Sequence, residues 1–188
     1  RQVIVSHNPG GGVLAGGAGA QAVVEDSVIR EISGNATAGV GAFRGGSLSV
    51  VGSLVQSNAW YGVYADEADT HVELIASAVR NTRGSPQHNN FGDGMFVKGG
   101  ATLQARAVFL ENNQELGVAV YETGTRVTLS DVVVSRVAPS SRGFGAGLYA
   151  TRGGRLEGAR VAILSIAGVG VAAVPGPVMG APSAAVTV

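Results

Sequence analysis

The stretch Leu48–Val63, LSVVGSLVQSNAWYGV, contains the unit on which the fold depends. Apolar or small residues stand at relative positions 0, 2, 5 and 7 of this stretch. A spacing of two is typical of a half-buried strand, and the single step of three indicates a bend between two short strands. Asn58 then precedes Gly62 by four residues, and Gly62 with Val63 opens a third strand. The stretch therefore predicts three short strands separated by turns.

This unit recurs along nearly the whole chain. Its asparagine-to-glycine part occurs at Asn8–Gly12, Asn35–Gly39, Asn58–Gly62, Asn90–Gly94 and Asn113–Gly117, and in degenerate form before Gly147 and Gly170. Three short strands in a turn of about two dozen residues can satisfy their backbone groups only by stacking on the next turn. The repeat therefore predicts an all-β fold, a parallel β-solenoid of about six complete coils, with asparagine at a turn near the left-handed region.

Long and short coils alternate in the sequence. Taken as differences between residue numbers, the successive motif glycines are 27, 23, 32, 23, 30 and 23 residues apart. The additional residues fall between the second strand and the asparagine turn, in the ranges 30–34, 80–89 and 135–142. We therefore expect a ridge of longer loops along one edge of the solenoid.

The segments Leu48–Val50, Ser53–Val55 and Asn58–Val63, repeated from coil to coil, resemble the right-handed parallel β-helix repeat proteins of the pectate-lyase-like superfamily. The alternation of coil lengths is similar to that of uncharacterised, secreted bacterial β-helix repeat proteins. The resemblance implies a right-handed, single-stranded β-helix with three parallel sheets, and a secreted or cell-surface location. It implies no particular activity, because this fold hosts many functions.

Residues 1–188 are predicted to form a single β-helix domain. Both termini fall inside a coil, because Val3 and Val5 match the end of a second strand, whereas Val186 and Val188 match the start of a first strand. Solenoids need polar caps at their ends. We therefore expect a slice of a longer solenoid, whose ends are covered by flanking coils or by a partner.

The composition excludes several classes of protein. Apolar residues make up 45% of the chain, which excludes general disorder. A formal net charge of zero disfavours a nucleic-acid-binding protein, which must neutralise many phosphates. The absence of cysteine from the sequence excludes disulfides and thiolate metal sites. The uncharged range 161–174 is too short to span a bilayer and three prolines interrupt the residues after it, so no membrane span is predicted.

The sequence contains no evident catalytic motif and favours a non-catalytic protein. The paired-aspartate, histidine–glycine and arginine-x-lysine elements of polygalacturonases are absent from it, as is the Asp-Pro-His-Asp run of alginate epimerases. Family members that cleave uronic-acid polymers often use clustered carboxylates with calcium. The nearest such cluster is Asp66, Glu67 and Asp69, a candidate calcium site that a solvated turn explains as well, because calcium takes six or more oxygens. No cofactor is predicted.

Aromatic residues recur at outward positions of the third strand. The residues two and four past each motif glycine are predicted to face solvent, because side chains alternate along a strand. Five of the nine Phe and Tyr residues fall there, namely Phe43, Tyr64, Phe96, Tyr121 and Tyr149. Aromatic faces suit the CH-rich face of a sugar ring, so these residues are candidates for binding a polysaccharide. Stacking of the rings for their own stability is the alternative.

Arginines are frequent around the long loops, and Arg80 and Arg142 are the candidates for contact with an anionic ligand. A basic ridge beside an aromatic sheet would form a groove for an acidic glycan, because arginine binds carboxylate and sulfate bidentately. Alternatively, arginine is simply this chain's common basic residue and the ridge is solvated. At the edge of the third-strand sheet, three pairs of opposite charge are predicted to meet across neighbouring coils, namely Arg44 with Glu67, Asp66 with Lys98, and Glu122 with Arg152.

Three functions are compatible with these patterns. The favoured one is a non-catalytic module that binds an extended polysaccharide on the third-strand sheet, acidic if the arginines take part. The second is a structural or adhesive stalk segment of a secreted or surface protein. The third is a polysaccharide lyase or hydrolase whose catalytic coil lies partly outside this segment.

Overall fold

The computed structural model describes residues 2–34, 37–84, 91–175 and 184–188. Within these ranges the chain forms strands and turns, and no helix. The strands run parallel and stack into a solenoid of about six coils, which confirms the all-β parallel β-helix predicted from the repeat. Each coil consists of a first, a second and a third strand joined by turns.

The strands follow one another in the same order in every coil. The strands β1 (Ile4–Ser6) and β2 (Val13–Gly16) precede coil 1, which contains β3 (Gln21–Glu25), β4 (Val28–Arg30) and β5 (Ala38–Phe43). Coil 2 contains β6 (Ser47–Val51), β7 (Leu54–Gln56) and β8 (Tyr61–Asp66), and coil 3 contains β9 (His71–Ile75), β10 (Ala78–Arg80) and β11 (Asp93–Val97). Coil 4 contains β12 (Thr102–Arg106), β13 (Phe109–Glu111) and β14 (Leu116–Tyr121). Coil 5 contains β15 (Arg126–Ser135) and β16 (Ala146–Thr151), coil 6 contains β17 (Arg155–Leu164) and β18 (Val169–Val174), and β19 (Ala185–Thr187) follows.

The strands form two sheets where the resemblance implied three. The third strands form a seven-stranded sheet, and the first and second strands form one twelve-stranded sheet. The first and second strands belong to one sheet because β15 and β17 each run through the bend between first and second strand without a break. Asp131 and Arg160 at that bend have left-handed backbones, each with φ of 56°.

The register of the third-strand sheet agrees with the sequence repeat. The residues that follow the motif glycines pair in one column, namely Val40, Val63, Met95, Val118, Leu148 and Val171. The first five side chains are fully buried. Val171 is 38% exposed, although its place in the repeat predicts burial like that of the other five, because β18 pairs on one side only among the described residues.

The alternation of loop lengths is also as predicted. From the strand bounds, the connection between second and third strand has seven, twelve and ten residues in coils 1, 3 and 5. The same connection has four residues in coils 2, 4 and 6. The longer loops therefore leave the same edge of the solenoid on alternate coils, beside the third-strand sheet.

Buried asparagines of the short coils satisfy the backbone of the long coil before them. The Oδ1 atom of Asn58 accepts a hydrogen bond from the N–H of Ile32 at 3.1 Å, and its Nδ2 donates to the carbonyl of Ile29 at 3.5 Å. Asn113 makes the equivalent contacts with the backbone of coil 3 at 3.0 Å and 3.2 Å. Both asparagines are fully buried, so each one replaces the water that these backbone groups would otherwise need.

The asparagines are not themselves the left-handed residues of this turn, contrary to the prediction. The residue before each has that conformation, with φ of 55° at Ser57 and 53° at Asn112. The side-chain amide therefore explains the choice of asparagine, because it donates and accepts at once. Coil 1 has Ile32 at the position that pairs with Asn58, whereas the motif residues Asn35 and Asn90 lie outside the described residues.

A pair of threonines shows the same two-coil repeat. The buried Oγ1 of Thr70, after coil 2, accepts from the N–H of Gly45 at 3.0 Å, and that of Thr125, after coil 4, accepts from Gly100 at 2.9 Å. Subtraction of residue numbers places both the threonines and the buried asparagines 55 residues apart. The structural repeat is therefore one long coil followed by one short coil, and the short coil carries the polar side chains.

Truncation of the buried column is expected to destabilise the solenoid. Val118→Ala removes two methyl groups from a fully buried position, and lost burial plus a cavity should cost about 1–3 kcal/mol in the free energy of unfolding. Urea denaturation of the purified protein measures this cost. Val171→Ala, in the same column but partly exposed, should cost clearly less. Equal costs would contradict the packing described here.

Loss of a buried asparagine is expected to leave backbone groups without partners. Asn58→Ala should lower the free energy of unfolding by about 1–3 kcal/mol and speed amide exchange at Ile32, whose N–H loses its acceptor. Asn8→Ala is the matched control, because Asn8 has the same motif position but is exposed. Unchanged exchange at Ile32 in Asn58→Ala would refute the hydrogen bond between Ile32 and Asn58.

Candidate functional site

The outer face of the third-strand sheet consists of three rows of side chains that run across the coils. From coil 1 to coil 5 the first row is Ala38, Tyr61, Asp93, Leu116 and Ala146. The second row is Gly41, Tyr64, Phe96, Ala119 and Tyr149, and the third is Phe43, Asp66, Lys98, Tyr121 and Thr151. The sheet register therefore determines which side chains become neighbours on this face.

Eight aromatic rings form a continuous cluster on this face, which we call the aromatic ladder. Five Phe, four Tyr and one Trp make ten aromatic residues in the chain, so the ladder contains most of them. Its members lie in coils 2 to 5 and are Trp60, Tyr61, Tyr64, Phe91, Phe96, Tyr121, Phe144 and Tyr149. Neighbouring ring centroids are 4.7–6.1 Å apart, from Trp60 on Phe91 at 4.7 Å to Tyr64 on Phe96 at 6.1 Å.

The ladder packs as a second apolar cluster outside the solenoid core. Phe96 at its centre is 9% exposed and packs with Leu116, Ala119 and Ala146, while the tyrosines around it are half-buried. The planes of Tyr64 and Phe96 are inclined by only 10°. The rings therefore cover part of one another, as the self-stacking alternative anticipates, and expose their remaining area in a line along the solenoid.

The sequence pattern anticipated part of the ladder. Tyr64, Phe96, Tyr121 and Tyr149 belong to it, whereas Phe43 lies apart, with its ring over Gly16. Four members were missed, namely Trp60, Tyr61, Phe91 and Phe144. The available signal was their position, since each precedes a motif glycine by one to three residues.

Three tyrosines of the ladder, Tyr61, Tyr64 and Tyr121, have raised pKa values that favour the neutral hydroxyl. Burial first, and then the carboxylates of Asp93 and Glu115, raise the pKa of Tyr61 above its usual value. Burial and a 2.6 Å hydrogen bond from its hydroxyl to Asp66 likewise raise the pKa of Tyr64. Burial also raises the pKa of Tyr121. Polar groups on this face therefore include uncharged phenols that can meet uncharged hydroxyls.

Charged residues at the edge of the ladder mostly neutralise one another. The Lys98 Nζ lies 3.1 Å from Asp66 Oδ2, and the Arg44 Nε lies 3.8 Å from Glu67 Oε1, as predicted from the register. The third predicted pair, Glu122 and Arg152, occupies adjacent coils, but among the described contacts its charged groups do not approach within 4.0 Å.

The carboxylates of the candidate calcium cluster point to different partners. Asp66 contacts Lys98 and Tyr64, and Glu67 contacts Arg44. In the described part of the chain no group of three or more potential ligand side chains is close enough to hold a metal ion. Asp66, Glu67 and Asp69 are therefore not gathered around a common point.

The two candidate arginines lie in different environments. Arg80 ends β10, in the twelve-stranded sheet, and its Nε lies 3.4 Å from Oε2 of Glu111. The other carboxylate oxygen of Glu111, Oε1, accepts a hydrogen bond from Arg136. Arg80 is therefore neither on a long loop nor unpaired, contrary to the expectation. Arg142 is exposed on the long loop of coil 5, two residues before Phe144 of the aromatic ladder.

Asp93 is an unexpected feature of the first row. Its side chain is 1% exposed between the neighbouring coils, and its Oδ1 has no hydrogen-bond partner among the described residues. Burial, and then the nearby carboxylate of Glu115, raise the pKa of Asp93 well above its usual value. A hydrogen bond from the backbone of Leu116 lowers this pKa by a smaller amount. Burial therefore favours the neutral form of this acid, and at 1% exposure its side chain does not reach the surface.

No family model matches the chain, and neither curated proteins nor solved structures gave a match. What the site can do is therefore inferred from its own geometry.

The described part of the chain has no helix long and apolar enough to cross a membrane.

The stability of the protein should decrease as pH rises through the titration of Asp93. Its folded-state pKa is raised, so its contribution is complete below the ordinary carboxyl pKa and is lost as pH rises through the raised value. Asp93→Asn should therefore gain stability relative to the natural chain with increasing pH, by at most about 1.4 kcal/mol per pH unit. Denaturant unfolding at several pH values measures the difference, and a difference that is constant with pH would contradict a buried acid.

Asp131→Asn provides a control of opposite sign. Hydrogen bonds from Arg160, then from Ser130, lower the pKa of Asp131 to about 2. A lowered pKa gives stability that is present above the ordinary value and is lost as pH falls through the lowered one. The difference in free energy of unfolding between Asp131→Asn and the natural chain should therefore change only at acidic pH, as Asp131 becomes protonated.

Proposed function

We propose that this β-helix is a non-catalytic module that binds an extended polysaccharide along the third-strand sheet. One observation carries the proposal: the aromatic ladder forms an unbroken line of rings across coils 2 to 5, outside the core. A bound polymer would run parallel to the solenoid axis. A continuous line of partly exposed rings outside the core is typical of a surface that meets a ligand or partner.

The dimensions and chemistry of the ladder support a sugar polymer. Stacked coils repeat about every 4.8 Å, which is close to the length of one sugar residue in an extended chain. Ring edges and faces of Tyr64, Tyr121 and Tyr149 remain half-exposed for contact with sugar C–H groups. The neutral phenols offer hydrogen bonds to sugar hydroxyls without the cost of burying a charge.

The balance of charge favours a neutral polymer over an acidic one. Lys98 and Arg44 are already paired with carboxylates at the edge of the ladder, and Arg80 is on another sheet. Arg142 is the remaining candidate for an anionic group, at the coil 5 end. We infer that the ladder provides the affinity and that Arg142 adds a preference only if the polymer carries carboxylates.

Tyr149→Ala should weaken retention by polysaccharide at least tenfold. Tyr149 is half-buried at one end of the ladder, so its removal takes away contact area and leaves the central stack in place. A tenfold loss corresponds to about 1.4 kcal/mol of binding free energy. Affinity electrophoresis through gels that contain neutral or uronic-acid polymers measures retention.

The matched control is Phe109→Ala, since Phe109 is an aromatic residue 54% exposed on the twelve-stranded sheet. It should leave retention unchanged. Arg142→Gln should reduce retention by uronic-acid polymers only, and Arg152→Gln should reduce neither. Retention of the natural chain that is insensitive to Tyr149→Ala would refute the site.

A structural or adhesive stalk segment is the second candidate, because one observation favours it. Tyr61 and Tyr64 both stack on Phe96, with interplanar angles of 29° and 10°. Part of each ring face is therefore covered by another ring and not available to a ligand. Stacking of this kind stiffens a solenoid without any ligand. If no polymer on a broad glycan array binds the natural chain, the stalk is the better description.

We further propose that the chain belongs with the right-handed β-helix proteins of the pectate-lyase-like superfamily and acts outside the cell. The parallel coils and the alternating loop lengths support this grouping. The right hand is also the one that parallel crossover connections adopt in almost all proteins. An experimental structure tests the handedness, and fractionation of the native host tests the location.

A further inference from the structure

An apolar stripe runs along the outside of the second strands, on a different sheet from the aromatic ladder. It is formed by the first residue of each second strand, or by the equivalent residue where the second strand continues from the first in β15 and β17. Successive members are paired in register across the coils. The members from β1 to coil 6 are Ile4, Val28, Leu54, Ala78, Phe109, Val133 and Ala162. All are half-buried or exposed, with Ile4 at 65% and Phe109 at 54%. The core does not use this row.

The stripe combines a projecting ring with a shallow groove. Phe109 in coil 4 is the one aromatic residue of the described second strands, and most of its ring is exposed. Phe109 itself borders a groove of about 620 Å³ that crosses coils 1 to 4. The lining of this groove in coils 2 and 3 includes the small residues Gly52, Ala76 and Ala78, together with the larger Leu54 and Arg80. A ring of this size can enter such a groove, but within one chain Phe109 is fixed to the neighbouring coil and cannot do so.

We propose that the stripe joins two copies of this chain in an antiparallel dimer, with the two-fold axis between coils 3 and 4. An axis along the strand direction reverses the order of the coils and keeps the stripes face to face. Coil 3 of one copy then faces coil 4 of the other, so Phe109 of each copy enters the groove over Ala78 of the other. Leu54 faces Val133 in the same way. The contact is isologous, as in most homodimers.

The charges beside the stripe agree with this register. The neighbouring outward row contains Arg80 in coil 3 and Glu111 in coil 4, which lie 3.4 Å apart within one chain. The proposed axis places this pair of each copy against that of the other, with opposite charges facing. An axis through coil 3 would oppose Arg80 to itself, and an axis through coil 2 would oppose it to Arg30. An axis between coils 2 and 3 would place the Phe109 ring over the branched Val28. Charge and shape therefore select the same register.

The dimer is expected to be weak. Six coils at about 4.8 Å give a stripe on the order of 25 Å long and one short strand wide, which is less than a standard stable interface. Its anchors are the two Phe109 rings, and buried aromatic anchors commonly dominate such contacts. Association should therefore appear only as the protein concentration approaches the high micromolar range.

Sedimentation equilibrium from micromolar to millimolar concentration tests the proposal. The natural chain should pass from monomer to dimer, and Phe109→Ala should raise the dissociation constant at least tenfold. Ala78→Leu should do the same by filling the groove, although it makes the stripe more apolar. Ala78→Leu distinguishes a specific fit from non-specific hydrophobic association, because the added apolar area would strengthen non-specific association.

Val23→Ala is the control, because Val23 is 65% exposed on a first strand and lies outside the stripe. It should not change the dissociation constant. A natural chain that stays monomeric throughout, or an Ala78→Leu variant that dimerises as well as the natural chain, would overturn the proposal. Loss of polysaccharide retention in Phe109→Ala with no dimer at any concentration would assign the stripe to a glycan instead.

Cross-linking tests the register, and the absence of natural cysteines makes it unambiguous. A mixture of Leu54→Cys and Val133→Cys chains should give a covalent dimer with a short bis-maleimide. Each variant alone should give little cross-linked dimer, because the thiols of its two copies would be three coils apart, about 14 Å. Cross-linking of either variant alone in preference to the mixture would refute the antiparallel arrangement.

Discussion

The hydrogen bonds between successive coils are the constraint on which the rest of this molecule depends. A strand of three to six residues has no partner within its own coil, so every backbone group must find one in the coil before or after. The main chain meets most of this need, and buried side chains accept from turn N–H groups that bond no carbonyl of the described residues, such as those of Ile32 and Gly45. Asn58 and Thr70 supply these side chains for coil 1, and Asn113 and Thr125 for coil 3. The short coils thus provide the polar side chains that hydrogen-bond to the backbone of the long coils.

This constraint also determines the outer surface. Because the register is the same in every coil, each outward position becomes a row parallel to the axis, and a property that recurs in the repeat becomes a continuous band. The aromatic ladder and the apolar stripe both arise in this way, on two different sheets. The stripe, and the ladder residues Tyr61, Tyr64, Phe96, Tyr121 and Tyr149, lie on strands. These side chains are therefore held as rigidly as the strands, which lowers the entropic cost of binding an extended partner.

The sequence predicted the features that repeat, and it missed those that do not. Period-two spacing and the motif glycines were sufficient for the fold, the buried column and the pairs Arg44–Glu67 and Asp66–Lys98. It could not show that Arg80 ends a strand beside Glu111, since that depends on where each long loop begins in space. It also assigned the left-handed backbone to the asparagines, because side-chain hydrogen bonds to another coil leave no signal in the local turn pattern.

Departures from the repeat concentrate in coils 2 and 3, on the side of the third strands. The first outward row has small or aliphatic residues at Ala38, Leu116 and Ala146, but Tyr61 and Asp93 at the two positions between them. The longest connection in the chain also precedes Asp93. A buried carboxyl without a full set of partners costs stability, and proteins retain such local violations mainly at sites that serve a function. The repeat alone explains a stiff rod, whereas a rod that only had to be stiff would have no reason to keep an acid at this point. The centre of any binding activity should therefore lie over coils 2 and 3, where Tyr61 and Phe96 stack beside that acid.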